Sequence, residues 1–165
     1  MFLAEFDCQH ILGADYLDPF QSGFRPGYGP ETALVALVDD LHRELDRESV
    51  SLLVLLDLSA AFNTIDYGIL LGCLFGMGLR GTVLQWLQSF LEGRTQKVVL
   101  GDSWSMPWPL ARGIPQGSAL LPMLFNIYMK PLGEVIWSFG VWCHQHAVDT
   151  QLSVSPFHLI PGKLS

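Results

Sequence analysis

The spacing of apolar positions changes along the chain, and the changes mark its elements. Leu34, Leu37/Val38, Leu41 and Leu45 recur every three to four positions, the period of a helix with one buried face. Pro30 suits the first turn of that helix and Glu31 complements its dipole there. Asp39, Asp40, Arg43, Glu44, Asp46 and Arg47 fall opposite the stripe and read as a solvated surface. From Val50 to Leu56 the pattern becomes an unbroken apolar run closed by Asp57, the length of a buried central strand, with a helix start at Ser59. Ile69–Met77 and Thr82–Leu91 predict two short helices parted by Gly78 and Gly81. Lys97–Leu100 predicts a short strand, and Ser103–Pro109 a Trp- and Pro-rich loop. Ser118–Met129 predicts an apolar helix that tolerates Pro122 in its first turns. Val141–Val154 predicts a hairpin with His146–Asp149 near its turn. Strands and helices alternate without the rhythm of βαβ units, so the expected class is α+β with a mainly antiparallel sheet.

Composition narrows the function classes. Half of the 165 residues are hydrophobic and 15% are charged, which excludes a disordered tail. A net charge of −7 is the wrong sign for bulk attraction to phosphate, so a nucleic-acid function must rest on local geometry. Cys8, Cys73 and Cys143 are an odd, widely spaced set that suggests no disulfide framework. The longest apolar stretch, Ile69–Leu79, has 11 residues, short of the ~20 that span a bilayer. The amino terminus lacks a basic start, and no membrane partner is expected. The reading is a soluble, intracellular chain of one domain, its compartment and oligomeric state open.

Three segments carry candidate chemistry. Asp57 ends an apolar strand, either capping the next helix at Ser59–Ala61 or joining a second carboxylate to hold a metal. Ala111-Arg112-Gly113-Ile114-Pro115-Gln116-Gly117-Ser118 sets two glycines before a helix, which permits close backbone approach to a ligand or simply makes a turn with a Ser118 cap. Gln21–Gly27 is a polar loop with one cation, Arg25. Cys143, His144, His146 and Asp149 have zinc-ligand chemistry but no standard spacing, and a hairpin sets neighbours on opposite faces.

In order, these segments resemble the reverse transcriptase domain of non-LTR retrotransposons, LINE elements of the Jockey and chicken-repeat type. The resemblance runs from about Leu17 to Leu152. It rests on Gln21–Gly27 with Glu31-Thr32-Ala33-Leu34, Leu55-Leu56-Asp57-Leu58-Ser59-Ala60-Ala61-Phe62, Gly113–Ser118 with Leu120-Leu121-Pro122, and Asp149-Thr150-Gln151-Leu152. It implies a palm, an antiparallel sheet with helices packed on one face, plus part of the fingers and no thumb. The implied divisions are 1–20 as a fragmentary fingers or N-terminal segment, 21–153 as fingers and palm, and 154–165 as a divergent tail. Asp57 and Asp149 are the implied catalytic and metal residues for Mg2+. Arg25, Phe62, Gln116 and Gly117 are the implied nucleotide-binding residues, and RNA template, DNA primer and dNTP the implied partners.

The sequence also departs from this family. Where the hairpin motif reads Tyr-Ala-Asp-Asp, this chain reads His146-Ala147-Val148-Asp149, and Val148 has no oxygen to offer a metal. Asn63, Tyr67, Trp104, Trp137 and Trp142 also stand where other residues are expected. The expectation is a degenerate copy without polymerase activity. The alternatives are a noncatalytic nucleic-acid-binding remnant and a residual two-metal polymerase using Asp57 and Asp149.

Overall fold

The computed structural model describes residues 17–154, so much of the expected segment 1–20 and nearly all of the tail 154–165 lie outside the described residues. The chain divides into two compact units, Met1–Ser59 with Met129–Ser165, and Ala60–Tyr128.

In the first unit, α1 spans Pro30–Asp46, with Gly29 at its cap and Thr32 Oγ1 accepting from the Gly29 amide at 3.3 Å. Its inward face is rotated from the expected stripe. Ala33 and Leu37 are buried, whereas Leu34, Val38 and Leu45 are exposed. Asp40, read as surface, instead turns towards the sheet, where a polar partner awaits it. The sheet has three antiparallel strands in the order β1-β7-β6, with β1 at Leu52–Asp57, β6 at Trp142–His146 and β7 at Asp149–Val154. The expected hairpin is therefore present, with a two-residue turn at Ala147-Val148. The expectation of a buried central strand fails for β1. It is an edge strand, and Leu52, Leu53, Leu55 and Leu56 are all exposed. An apolar run signals burial only where neighbouring strands and layers exist on both sides, and among the described residues this sheet ends at β1.

The far edge of β6 is closed by the chain near its start. The Gln145 amide donates to Phe20 O and the Ser22 amide to Gln145 O, both at 2.8 Å, forming a parallel bridge at Gln21. Phe20 also packs against Trp137 and Trp142, with ring centroids 4.8 and 6.3 Å away. These two tryptophans, which the sequence reading did not expect at these positions, are thus part of an aromatic cluster under the loop.

In the second unit, α2 (Ala61–Thr64) and α3 (Tyr67–Gly76) follow β1, and α4 (Gly81–Leu91) packs on α3. Asp66 caps α3, accepting from the Gly68 and Ile69 amides. Leu70 and Leu74 of α3 and Leu87 and Leu91 of α4 are buried. The segment expected as strand then loop is a ribbon of four two-residue strands: β2 (Thr95–Gln96) with β5 (Trp108–Pro109), and β3 (Val99–Leu100) with β4 (Ser103–Trp104). The Trp- and Pro-rich stretch is therefore not simply a loop: its β-prone tryptophans each take a partner strand. The last helix, α5, spans Leu121–Ser138 rather than Ser118–Met129. Ser118 Oγ accepts from the Leu120 amide before it, and Pro131 lies inside it without ending it.

Candidate active site

Asp57 and Asp149 are register partners on β1 and β7. Directly opposed residues share a sheet face with Cβ atoms about 5 Å apart, so the fold brings the two carboxylates side by side. Both are exposed at the end of the sheet. His146 opposes Asp149 from β6, extending the row on the same face. Asp57 does not cap the next helix: Ala60 holds the cap position of α2 and no side chain bonds there. Val148 sits in the turn itself, beside Ala147 with φ 54°, so it belongs to no strand face.

A buried glutamine holds that turn. Gln21 Oε1 accepts from the Gly23 amide at 2.8 Å and the Ala147 amide at 3.0 Å, while Nε2 donates to Ala147 O at 3.3 Å. A Cβ on Gly23 would collide with the Ala147 backbone, so only glycine allows this approach. Ser22 Oγ donates to Gln145 O at 3.0 Å and stands 3.2 Å from His146 Nδ1. The sequence marks Gln21–Gly27 as a polar loop but does not disclose this grip on a turn 126 positions away.

Arg25 lies in the same loop, and its Nη1 donates to Asp18 O at 3.1 Å and Gln21 O at 3.2 Å. Its guanidinium also lies 5.1 Å from the centre of the Tyr28 ring. The cation expected to meet phosphate is thus tying its own loop together. On the far side of α1, Asp40 Oδ2 and His144 Nε2 are 2.7 Å apart, a second contact that sequence reasoning missed. Its signal was present: Asp40 falls at i+7 from the buried Ala33 and i+3 from the buried Leu37.

The second unit holds the other expected residues. Phe62 rests edge-on against Phe125, with centroids 4.9 Å apart, and its carbonyl accepts from the Ile114 amide at 3.0 Å. Gly113 has φ 84°, and a Cβ there would lie 2.9 Å from the Asn63 backbone. Its amide donates to Ile65 O at 2.9 Å, and its carbonyl accepts from Tyr67 Oη at 2.8 Å and Arg94 Nη1 at 3.0 Å. Gln116 and Gly117 follow this anchor and are both exposed. The loop therefore has a fixed base and a free tip, the form suited to meeting a ligand.

The family model described as reverse transcriptase (RNA-dependent DNA polymerase) matches residues 8–154. The chain belongs to the reverse transcriptase family. Its relatives include the RNA-directed DNA polymerase from mobile element jockey of Drosophila melanogaster, 32% identical over 128 residues, covering 76% of this chain and 13% of the relative. The probable RNA-directed DNA polymerase from transposon X-element of the same organism is 31% identical over 125 residues, 75% of this chain and 14% of the relative. A reverse transcriptase-like protein of Chlamydomonas reinhardtii is 31% identical over 133 residues, 76% of this chain and 32% of the relative. This is a non-LTR reverse transcriptase domain, spanning about a seventh of the Drosophila polymerases.

Reverse transcriptases use magnesium, and the side chains present can be tested against it. A two-ion centre needs clustered hard oxygens. Here the donors are Asp57 and Asp149, and Val148 offers none. Among the described residues, no three His, Cys, Asp or Glu side chains converge on one point. The donor set does not fit a two-magnesium centre. Nor do the hairpin residues make a zinc site: alternation sends Cys143 to the face opposite His144 and His146. Burial, helped by the nearby charge of Asp18, pushes the Cys143 thiol up to about 11, away from the thiolate that zinc requires. No helix among the described residues is long and apolar enough to cross a membrane.

Proposed function

We propose that this chain is a reverse transcriptase fingers and palm unit that keeps the family scaffold and has lost nucleotidyl transfer. One observation carries the reading: the hairpin turn presents Val148 where the family has an aspartate, beside a pair of carboxylates that cannot by themselves span two cations. In this reading Asp57 and Asp149 are what remains of the catalytic and metal-binding set. Phe62, Gln116 and Gly117 are the inherited lining for an incoming dNTP, and Arg25 the inherited phosphate-side cation. RNA template and DNA primer are the ancestral partners. A net charge of −7, with Nη1 of both Arg25 and Arg94 donating to backbone carbonyls of the chain itself, supports weak grip on either strand.

The test is primer extension on an RNA template with magnesium and dNTPs. The unmodified chain is expected to give no product, and Val148→Asp at most a partial gain that the added Asp57→Ala change removes. Robust synthesis by the unmodified chain, abolished by Asp57→Ala, would show that Asp57 and Asp149 suffice.

A further inference from the structure

Two side chains from different elements end on one backbone carbonyl. Tyr67 Oη donates to Gly113 O at 2.8 Å, and Arg94 Nη1 donates to the same oxygen at 3.0 Å. A carbonyl has two lone pairs, and these donors fill both. Each donor is itself held in place. Tyr67 is buried and opens α3, whose start Asp66 caps. Arg94 stands at the end of the β2–β5 ribbon, where its own carbonyl accepts from the Leu110 amide at 2.8 Å. The Arg94 bond is charge-assisted and the stronger of the two.

The same peptide group is tied from its other side. The Ile114 amide donates to Phe62 O at 3.0 Å, so this peptide cannot turn without breaking its bonds to Tyr67, Arg94 and Phe62. Gly113, with φ 84°, supplies the left-handed backbone that aims its carbonyl at the two donors. Gln116 and Gly117 follow directly after Pro115.

We propose that Tyr67 and Arg94 are positioning residues: by clamping the Gly113 carbonyl they hold Gln116 and Gly117 at a fixed spacing from Phe62. The inference rests on the reading of Phe62, Gln116 and Gly117 as the lining for a dNTP. Tyr67 and Arg94 act through the loop backbone. A loop held in one form before its ligand arrives lowers the ordering cost of binding, so the clamp is expressed as affinity.

Amide NMR of the full chain reads both parts. Tyr67→Phe removes a single oxygen, and the Gly113 and Ile114 amides should then exchange about fivefold faster or more, with those of α4 unmoved. Arg94→Met keeps the apolar stem without a donor and should exceed this effect, while Arg94→Lys should recover part of it. Titration with dATP into the millimolar range should shift the Gln116 and Gly117 amides of the unmodified chain. Tyr67→Phe and Arg94→Met should each weaken that binding about threefold or more, with Arg94→Lys in between. Unchanged exchange at Gly113 and Ile114 in both variants overturns the clamp. Faster exchange spread equally through α3 and α4 also overturns it, by making the two residues general supports of the fold. Faster local exchange with unaltered dATP affinity overturns the positioning role. If the unmodified chain binds no dATP, faster local exchange upholds the clamp, and the nucleotide lining is the reading that falls.

Discussion

Replacing Gln21 with leucine tests whether a buried side chain, rather than the hairpin ladder, holds the turn beside Asp149. Gln21 is 1% exposed and makes three hydrogen bonds, two to the Ala147 backbone and one to the Gly23 amide. Leucine nearly matches its volume, so the packing change is small and the lost bonds dominate. The Ala147 and Gly23 amides lose their shared acceptor and the Ala147 carbonyl loses a donor. Each buried polar group deprived of its partner costs about 1–3 kcal/mol. Ala147 is half-buried and regains part of this from water, which brings the total to about 2–4 kcal/mol. Against a typical domain stability of about 5–15 kcal/mol that is a large loss. Urea unfolding followed by far-UV circular dichroism measures it, and hydrogen exchange at Ala147 locates it. A transition within about 0.5 kcal/mol of the unmodified chain, with Ala147 exchange unchanged, would refute the reasoning and leave the β6–β7 ladder as the sole support.

Gly113→Ala should cost roughly 2 kcal/mol or more, since φ 84° disfavours a side chain and its Cβ would press on the Asn63 backbone; an unaltered thermal midpoint would contradict this. Cys143, with its thiol raised from 9 to about 11, should react with iodoacetamide at pH 8 about a hundredfold more slowly than a free thiol. The folded chain keeps that proton where the unfolded chain releases it, so this group's contribution is full below pH 9 and falls as pH rises towards 11. A Cys143→Ala chain whose urea midpoint declines over that window as steeply as the parent's would speak against it. Asp57→Asn should stabilise the fold by a few tenths of a kcal/mol at low salt, by relieving repulsion across the Asp57–Asp149 pair, and the gain should shrink as salt is added.

The legible parts of this fold are those where local pattern and tertiary outcome agree. Pro30 and Glu31 start α1, the two-residue turn makes the β6–β7 hairpin, and Asp57 ends its strand beside Asp149. The sequence misleads where burial depends on what stands next to an element. Leu34 and Val38 match a helical stripe, yet the inward face of α1 runs through Ala33, Leu37 and Asp40, because His144 offers Asp40 a partner that periodicity cannot foresee. The Val50–Leu56 run reads as core, but strand order rather than composition decides that it is an edge. In the candidate site, motif spacing nominates Asp57, Phe62, Gln116 and Asp149. It is silent on the contacts that position them, since Gln21–Ala147 and Arg94–Gly113 are long-range bonds between polar residues common in any loop.

Under the proposed loss of nucleotidyl transfer, the Asp57–Asp149 pair also gives a reason why the fold is kept. Two carboxylates side by side repel, and among the described residues no lysine or arginine pairs with either. A third carboxylate at the turn would add to that repulsion, whereas valine at Val148 adds none. In the proposed reading, valine in place of a metal ligand therefore avoids added repulsion at the end of the sheet, which is the usual conflict between a charged site and the stability of its scaffold. The reverse change has a measurable consequence. Val148→Asp should lower stability by about 0.5–1 kcal/mol in a chelating buffer. Millimolar magnesium should narrow that gap for Val148→Asp and leave the unmodified chain unmoved. If the variant is as stable as the parent in the chelator, the three positions do not share one electrostatic neighbourhood, and the account of a site emptied of charge to the benefit of its scaffold is wrong.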